Sequence, residues 1–187
     1  MTKETNDRPR IDKLQSTHPI DAFDCGQDSL NRYLKRFALM SQRADGAQTY
    51  VGICGDDIIG YYTLVVGHVA YEDAPERLIK GLSRNWVPVM LLARLATDLA
   101  WQGKGVGTGL LRDAMQRTLQ AVDIAGIRAF LVHAKDDKAK AFYEHFNFFP
   151  SPTDPYHLYL LVKDIRKIMS EHNNGKKNRF AKNYHNN

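Results

Sequence analysis

Glycines stand at positions 103, 105, 107 and 109 of the run "AWQGKGVGTGLLRDAM" (residues 100–115), with Gln102 and Lys104 interleaved, where a loop gives way to a helical pattern. Glycine is among the poorest helix formers, about 1 kcal/mol worse than alanine at an interior position. Four of them at one helix start point to a backbone that a ligand must approach closely. The unpaired N–H groups of a helix N-terminus, aided by the helix dipole, attract an anion, and phosphate is the usual guest. The chemistry on offer is therefore the cradling of a phosphate by main-chain donors.

Two familiar phosphate loops are excluded by spacing. A dinucleotide fingerprint begun at Gly103 or Gly105 needs a third glycine where Thr108 or Leu110 stands. A Walker A loop needs a glycine at Asp98, and Ser or Thr at Gly105. What remains is Gln102-Gly103-Lys104-Gly105-Val106-Gly107, a Q/R-x-x-G-x-G/A pattern, placed after the apolar run "VPVMLLARLATD".

The elements around the loop follow from periodicity. "GQDSLNRYLKRFALMSQ" reads as a helix with Leu30, Leu34, Phe37 and Met40 on its apolar face. "QTYVGICG" and "DIIGYYTLVVGHVAY" read as strands of a hairpin turning at Gly55-Asp56-Asp57. "APERLIKGL" is a short helix or surface loop, and "VPVMLLARLATD" the central strand. The glycine loop then opens a helix through Leu110, Leu111, Ala114, Leu119 and Val122. Strand "IRAFLVHA", helix "DKAKAFYEHF" and strand "YHLYLLVK" follow. Strands and helices alternate in the second half, so a mixed α/β sheet with a parallel central pair is expected. Residues 1–12 and 170–187 are polar and read as a flexible lead and a disordered basic tail around one domain, 13–169.

Composition narrows the class. The chain has 187 residues, 43% hydrophobic and 25% charged, with a net charge of +5. Those are the proportions of a soluble globular domain, and the longest apolar runs are too short to cross a bilayer. Cys25 and Cys54 form no CxxC pair and no disulfide framework, which suits reduced thiols in a cytoplasmic protein. The positive excess asks for an anionic partner, either a cofactor or a nucleic acid. His133 and His145 sit in no metal-like cluster, so no metal is expected. Asp136-Asp137 precedes a helix and reads as its cap.

The glycine hexamer, set between a strand and a helix, resembles the acetyl-coenzyme A pyrophosphate loop of the GNAT superfamily of N-acetyltransferases. Further stretches narrow the likeness. "FDCGQDSLNRYLKRFA", "VPVMLLARLATDLAWQGKGVGTGLLRDAM" and "RTLQAVDIAGIRAFLVHAKDDKAKAFYEHFNFFPSPTDP" are similar to the GNAT toxins of bacterial toxin–antitoxin modules, over roughly residues 18–165. The resemblance implies a mostly antiparallel sheet, splayed at one parallel pair and flanked by helices. It implies acetyl-CoA as co-substrate and the α-amino group of aminoacyl-tRNA as acceptor, which blocks translation. It also implies a small ribbon-helix-helix antitoxin, through which operator DNA is bound, and leaves a homodimer open.

Residue roles follow from the same likeness. Gln102, Gly103, Lys104, Gly105, Val106, Gly107 and Thr108 would hold the pyrophosphate. Leu95, Ala96 and Thr97 would pair their backbone with the pantetheine arm, and Phe142 would touch the cofactor. Tyr143 matches the tyrosine aimed at the thioester sulfur, where a phenol can donate to the leaving thiolate. The central strand has no Asp or Glu before Asp98, which suits an α-amine: its reference pKa is near 8 and the adjacent ester lowers it further, so it needs little or no dedicated base. Lys35, Arg36, Arg43, Arg77, Lys80, Arg84 and Arg94 are candidates to line a tRNA acceptor stem, giving affinity through phosphates. Two other readings stay open: a GNAT enzyme for a small amine or protein N-terminus, and a non-catalytic co-repressor working with a DNA-binding partner.

Overall fold

A computed structural model describes residues 8–183 of the chain, with side chains through 173. Seven strands lie in the order β1-β2-β3-β4-β5-β7-β6. The sheet is mostly antiparallel with one parallel pair. Two compact units divide the chain. One comprises the chain up to Gly67 together with Met90–Ala114; the other comprises His68–Val89 and everything from Met115 onward.

In the first unit β1 (Arg10–Lys13), β2 (Gln48–Cys54) and β3 (Asp57–Val69) pair antiparallel, with Ile11 opposite Gly52 and Val51 opposite Tyr61. Val51, Ile53, Ile58 and Tyr61 pack with Leu14, Phe23, Leu34 and Ala38 in an apolar core. The fully buried Thr49 and Thr63 hydroxyls satisfy each other at 2.9 Å across the strands. Gly60 is required by space: a Cβ there would lie 2.7 Å from Leu110 Cδ1 and 2.8 Å from the Ala96 carbonyl. Its absence lets β3 approach both β4 (Val87–Thr97) and the first turns of α4 (Val106–Val122).

The helix over residues 28–43 departs from the expected register. It runs as α1 (Asp28–Arg32), a π-helical segment Tyr33–Ala38, and α2 (Leu39–Arg43). A π turn holds more residues than an α turn, so it rotates every side chain that follows. Tyr33, Leu34 and Ala38 are buried, whereas Phe37 and Met40, expected inside, are 42% and 60% exposed.

In the second unit β5 (Ala129–His133) and β6 (Phe149–Pro150) each pair antiparallel with β7 (His157–Leu161). The first residues of β4 belong here, where the Arg128 N–H donates to the Pro88 carbonyl at 2.9 Å. Arg128 also donates from Nε to Leu78 and from Nη2 to Lys80, at 2.8 and 2.9 Å, satisfying carbonyls at the end of α3 (Glu76–Ile79). Asp136 caps α5 (Asp137–His145) as expected, accepting from Ala139 N at 2.8 Å.

The chain ends differ from expectation. Arg10–Lys13 forms β1, so part of the expected flexible lead is a strand, held by backbone pairing to β2. Past β7 the chain continues as α6 (Val162–Asn183), so helix covers most of the stretch read as a disordered tail. Val162 and Ile165 anchor its first turn. Residues 1–7 and 184–187 lie outside the described residues. No described helix is long and apolar enough to cross a membrane.

Candidate active site

The glycine loop begins where β4 ends and is braced from behind. Asp98 accepts from Ala100 N through Oδ1 at 2.9 Å, capping the short helical turn Leu99–Trp101. Its other oxygen accepts from Asp24 N at 3.0 Å, and Leu99 N donates to the Asp24 carbonyl at 2.8 Å. The Gln102 amide donates to the carbonyls of Thr97 and Cys25, at 3.1 and 3.3 Å. Gln102, expected among the phosphate contacts, is thus engaged with backbone and sets the shape of the loop. Asn31 completes the brace, accepting from Cys25 N and donating to Asp24 at 2.9 and 2.8 Å. The N–H of Gly26 and the Asn31 amide hold the Asp24 carboxyl below its ordinary pKa, with Lys35 adding to the effect.

Beyond Gln102 the loop opens its donors. Gly103 and Gly105 have φ of +74° and +81°, a conformation that L side chains rarely adopt, and a Cβ at either would meet nothing within 4 Å. Conformation, not crowding, selects glycine there. Gly109 N to Gly105 O, 3.0 Å, joins the helix to the loop, so the N–H groups just ahead are left for an acceptor from elsewhere. Val106, Gly107 and Thr108 form the first turn of α4, anchored by the buried Leu110 and Leu111. Lys104 Nζ lies 5.2 Å from the Trp101 ring centroid, which keeps its ammonium beside the loop. Ala96 is buried in the apolar core, with Leu95 and Thr97 half-buried on either side of it in β4. This arrangement fits a pyrophosphate: exposed main-chain donors, a helix dipole, a nearby cation and no side chain filling the cradle.

Tyr143 lies on α5 in the second unit. Its ring is buried against Phe142 at 5.2 Å and Phe148 at 5.5 Å, and Phe148 packs on Phe130. Burial pushes the phenol pKa above its ordinary value, so the group keeps its proton. Its hydroxyl makes no hydrogen bond among the described residues, whereas the Tyr61 hydroxyl donates to Leu30 and that of Tyr156 to Asp137. A packed ring with an uncommitted hydroxyl is what a catalytic donor requires. In the same unit His133 stacks on His157 with ring centroids 4.0 Å apart.

The candidate tRNA contacts are distributed over both units. Lys35, Arg36 and Arg43 are exposed on the helix over residues 28–43. Arg94, in β4, finds the partner an arginine in an apolar strand needs: its guanidinium carbon sits 3.5 Å from the Tyr33 ring centroid. Arg77 is committed to Asp164 at 3.3 Å and to the Phe149 ring, and Arg84 lies over Tyr71, while Lys80 is exposed. No group of three or more potential metal ligands occurs among the described residues. Sequence reasoning missed the brace of Asp24, Asn31 and Asp98. Only the capping distance from Asp98 to Ala100 was there to be read.

Residues 45–149 match the acetyltransferase (GNAT) domain family. The chain belongs to the GNAT acetyltransferase family. This GNAT protein is 43% identical over 159 residues to the "tRNA-acetylating toxin" of Mycobacterium tuberculosis, covering 85% of this chain and 95% of the relative. Its fold is similar to that of AtaT complexed with acetyl-methionyl-tRNAfMet, with a TM-score of 0.80, 26% identity, and coverage of 87% and 99% of the two chains. A second similar structure is a tyrosine-to-phenylalanine mutant of AtaT bound to acetyl-CoA and the C-terminus of the antitoxin AtaR. It gives a TM-score of 0.75, 26% identity, and coverage of 88% and 99%. The glycine loop of this GNAT chain, Gln102–Thr108, lies inside the matched domain, as does Tyr143.

Proposed function

We propose that this GNAT enzyme is the toxin of a cytoplasmic toxin–antitoxin pair. It transfers the acetyl group of acetyl-CoA to the α-amino group of aminoacyl-tRNA and so blocks translation. The single structural observation that carries the transferase reading is the loop at 103–108, whose N–H groups are held open by two left-handed glycines behind a hydrogen-bonded brace. The substrate class is supported by the 43% identity to the tRNA-acetylating toxin.

Residue roles follow. The N–H groups of residues 103–108 and the ammonium of Lys104 hold the pyrophosphate, and the backbone of Leu95, Ala96 and Thr97 pairs with the pantetheine arm. Phe142 contributes an apolar surface to the cofactor. The neutral acceptor amine attacks the thioester carbonyl; the C–N bond forms, the C–S bond breaks, the nitrogen gives one proton to solvent water, and solvent returns one to Tyr143 after the thiolate has been protonated. Tyr143 donates its hydroxyl hydrogen to the departing thiolate. Both Asp98 oxygens are engaged with backbone N–H groups, so Asp98 does not serve as the base. The ester of an aminoacyl-tRNA lowers the α-amine below its reference pKa near 8, so it needs little help to be neutral. The basic residues on the first unit's helix draw in tRNA phosphates, and a small ribbon-helix-helix antitoxin neutralises the toxin and carries it to operator DNA.

Incubation with labelled acetyl-CoA and a pool of charged tRNA tests this directly. Label recovered as N-acetyl aminoacyl ester is expected. Label confined to peptides or small amines, with charged tRNA untouched, sinks the reading.

A further inference from the structure

Phe37 is in the wrong place for a core residue. The π-helical segment Tyr33–Ala38 turns it, with Met40, out to solvent, although both fit the apolar stripe of an ordinary helix. Arg32 lies about one turn before Phe37. Arg36 is adjacent in sequence, and Arg43 follows one turn after Met40. Arg32, Arg36 and Arg43 are all exposed, and none has a carboxylate within 4.0 Å among the described residues. Lys35 differs, since its charge helps to lower the Asp24 pKa.

We propose that Phe37 is a stacking platform for an unpaired base of the RNA substrate, with Arg32, Arg36 and Arg43 gripping the flanking phosphates. The proposal rests on the aminoacyl-tRNA reading above and adds a binding residue to it. An exposed aromatic face among uncommitted guanidinium groups is the pairing that holds single-stranded nucleic acid: the ring takes a base and the cations take the backbone. A phenyl ring has no donors or acceptors for reading base edges, so this contact recognises an unstacked base without choosing which one. An acidic peptide would also meet the arginines, but its apolar anchors need a groove, whereas Phe37 and Met40 protrude from one helix. Position supports the same occupant. The helix begins at the braced turn of residues 24–27, and Phe37 is about 15 Å along it from Gln27. That turn is itself bonded to the start of the glycine loop, through Asp24 N to Asp98 and Gln102 to the Cys25 carbonyl.

The test is binding of the full-length protein to a labelled RNA hairpin with a short single-stranded 3′ tail, against the same hairpin made blunt, over a range of salt. Phe37→Ala is expected to weaken the tailed hairpin about 5- to 100-fold and the blunt one less than twofold. Phe37→Trp should keep wild-type affinity, and Phe37→Leu, which keeps apolar bulk without the ring face, should lose as much as alanine. Arg36→Ala should weaken both hairpins and reduce the salt slope by about 1. Melting curves identify any misfolded variant, in which case the tryptophan–leucine pair decides. Equal loss on both hairpins, or none on the tailed one, overturns the proposal. So does a Phe37→Ala protein that binds RNA normally but escapes its antitoxin, which would assign the patch to an acidic peptide. If wild-type protein acetylates no charged tRNA, the substrate reading itself fails. If it does and Phe37→Ala matches it on the tailed hairpin, only this inference fails.

Discussion

Asp98 and Asp24 stand 74 residues apart, and the main-chain N–H of Asp24 donates to Oδ2 of Asp98 at 3.0 Å. This contact ties the turn that starts the basic helix to the glycine loop that opens α4. Asp98→Ala removes that bond and the cap on Ala100 together. A loss of about 1–3 kcal/mol of stability is expected, with KM for acetyl-CoA raised more than kcat is lowered. Asp98→Asn, which keeps one acceptor, should fall between. Denaturant melts and initial rates check this, and an unchanged KM in a destabilised Asp98→Ala protein would separate the brace from the cofactor site.

Two glycines of the loop predict opposite outcomes. Gly105 has φ +81°, so Gly105→Val costs about 1–2 kcal/mol by conformation alone and blocks close approach of a phosphate. The rise in Tm on adding acetyl-CoA should largely disappear. Gly109 lies within α4 and a Cβ there meets nothing within 4 Å. Gly109→Ala should therefore stabilise by about 0.5–1 kcal/mol and keep the full cofactor shift. Thermal melts of both proteins with and without acetyl-CoA compare the two.

These contrasts show where the sequence was readable. The loop was legible because glycine density at a helix start has few other causes, and the apolar strands because their burial is periodic. The exposure of Phe37 was not, since a 3.6-residue period assumes an α turn and nothing in "YLKRFA" announces a π one. β1 escaped because "RIDK" pairs through its backbone and buries little. Residues 170–183 escaped because the polar run "SEHNNGKKNRFAKN" has no apolar stripe, although helix continues through it. The Asp24–Asp98 bond joins distant segments, which local pattern does not reveal.

The His133–His157 stack predicts a pH dependence. Burial first, then the neighbouring His157, lowers the His133 pKa below the usual 6.5, while Asp154, 3.4 Å from His157 Nε2, opposes this. Between the two values the unfolded chain binds more protons than the folded one, so stability falls as pH drops through 6.5 toward the folded pKa. Wild type should lose more Tm between pH 7.5 and 5.5 than His133→Gln, which cannot take up that proton. Parallel losses in the two proteins would show that the stack contributes nothing to acid sensitivity.

Tyr143→Phe separates a donor from a packing residue. The substitution keeps the ring against Phe142 and Phe148 and removes a hydroxyl that no described residue uses, so the melting curve should hardly move. Acetyl-CoA affinity should also hold, since the loop backbone supplies it. Turnover on charged tRNA should fall by roughly 10²–10⁴ if the hydroxyl serves the leaving thiolate. The low end of that range is favoured by chemistry, because a thiol with a pKa near 8.5 leaves moderately well unaided. The raised phenol pKa adds a second signature: the wild-type rate should show no loss from tyrosine ionisation as pH climbs toward 10, where an ordinary phenol would be half ionised. Single-turnover rates of both proteins across pH measure the two effects together. A folded Tyr143→Phe enzyme with wild-type turnover would assign the tyrosine to packing and leave the thiolate to depart without it.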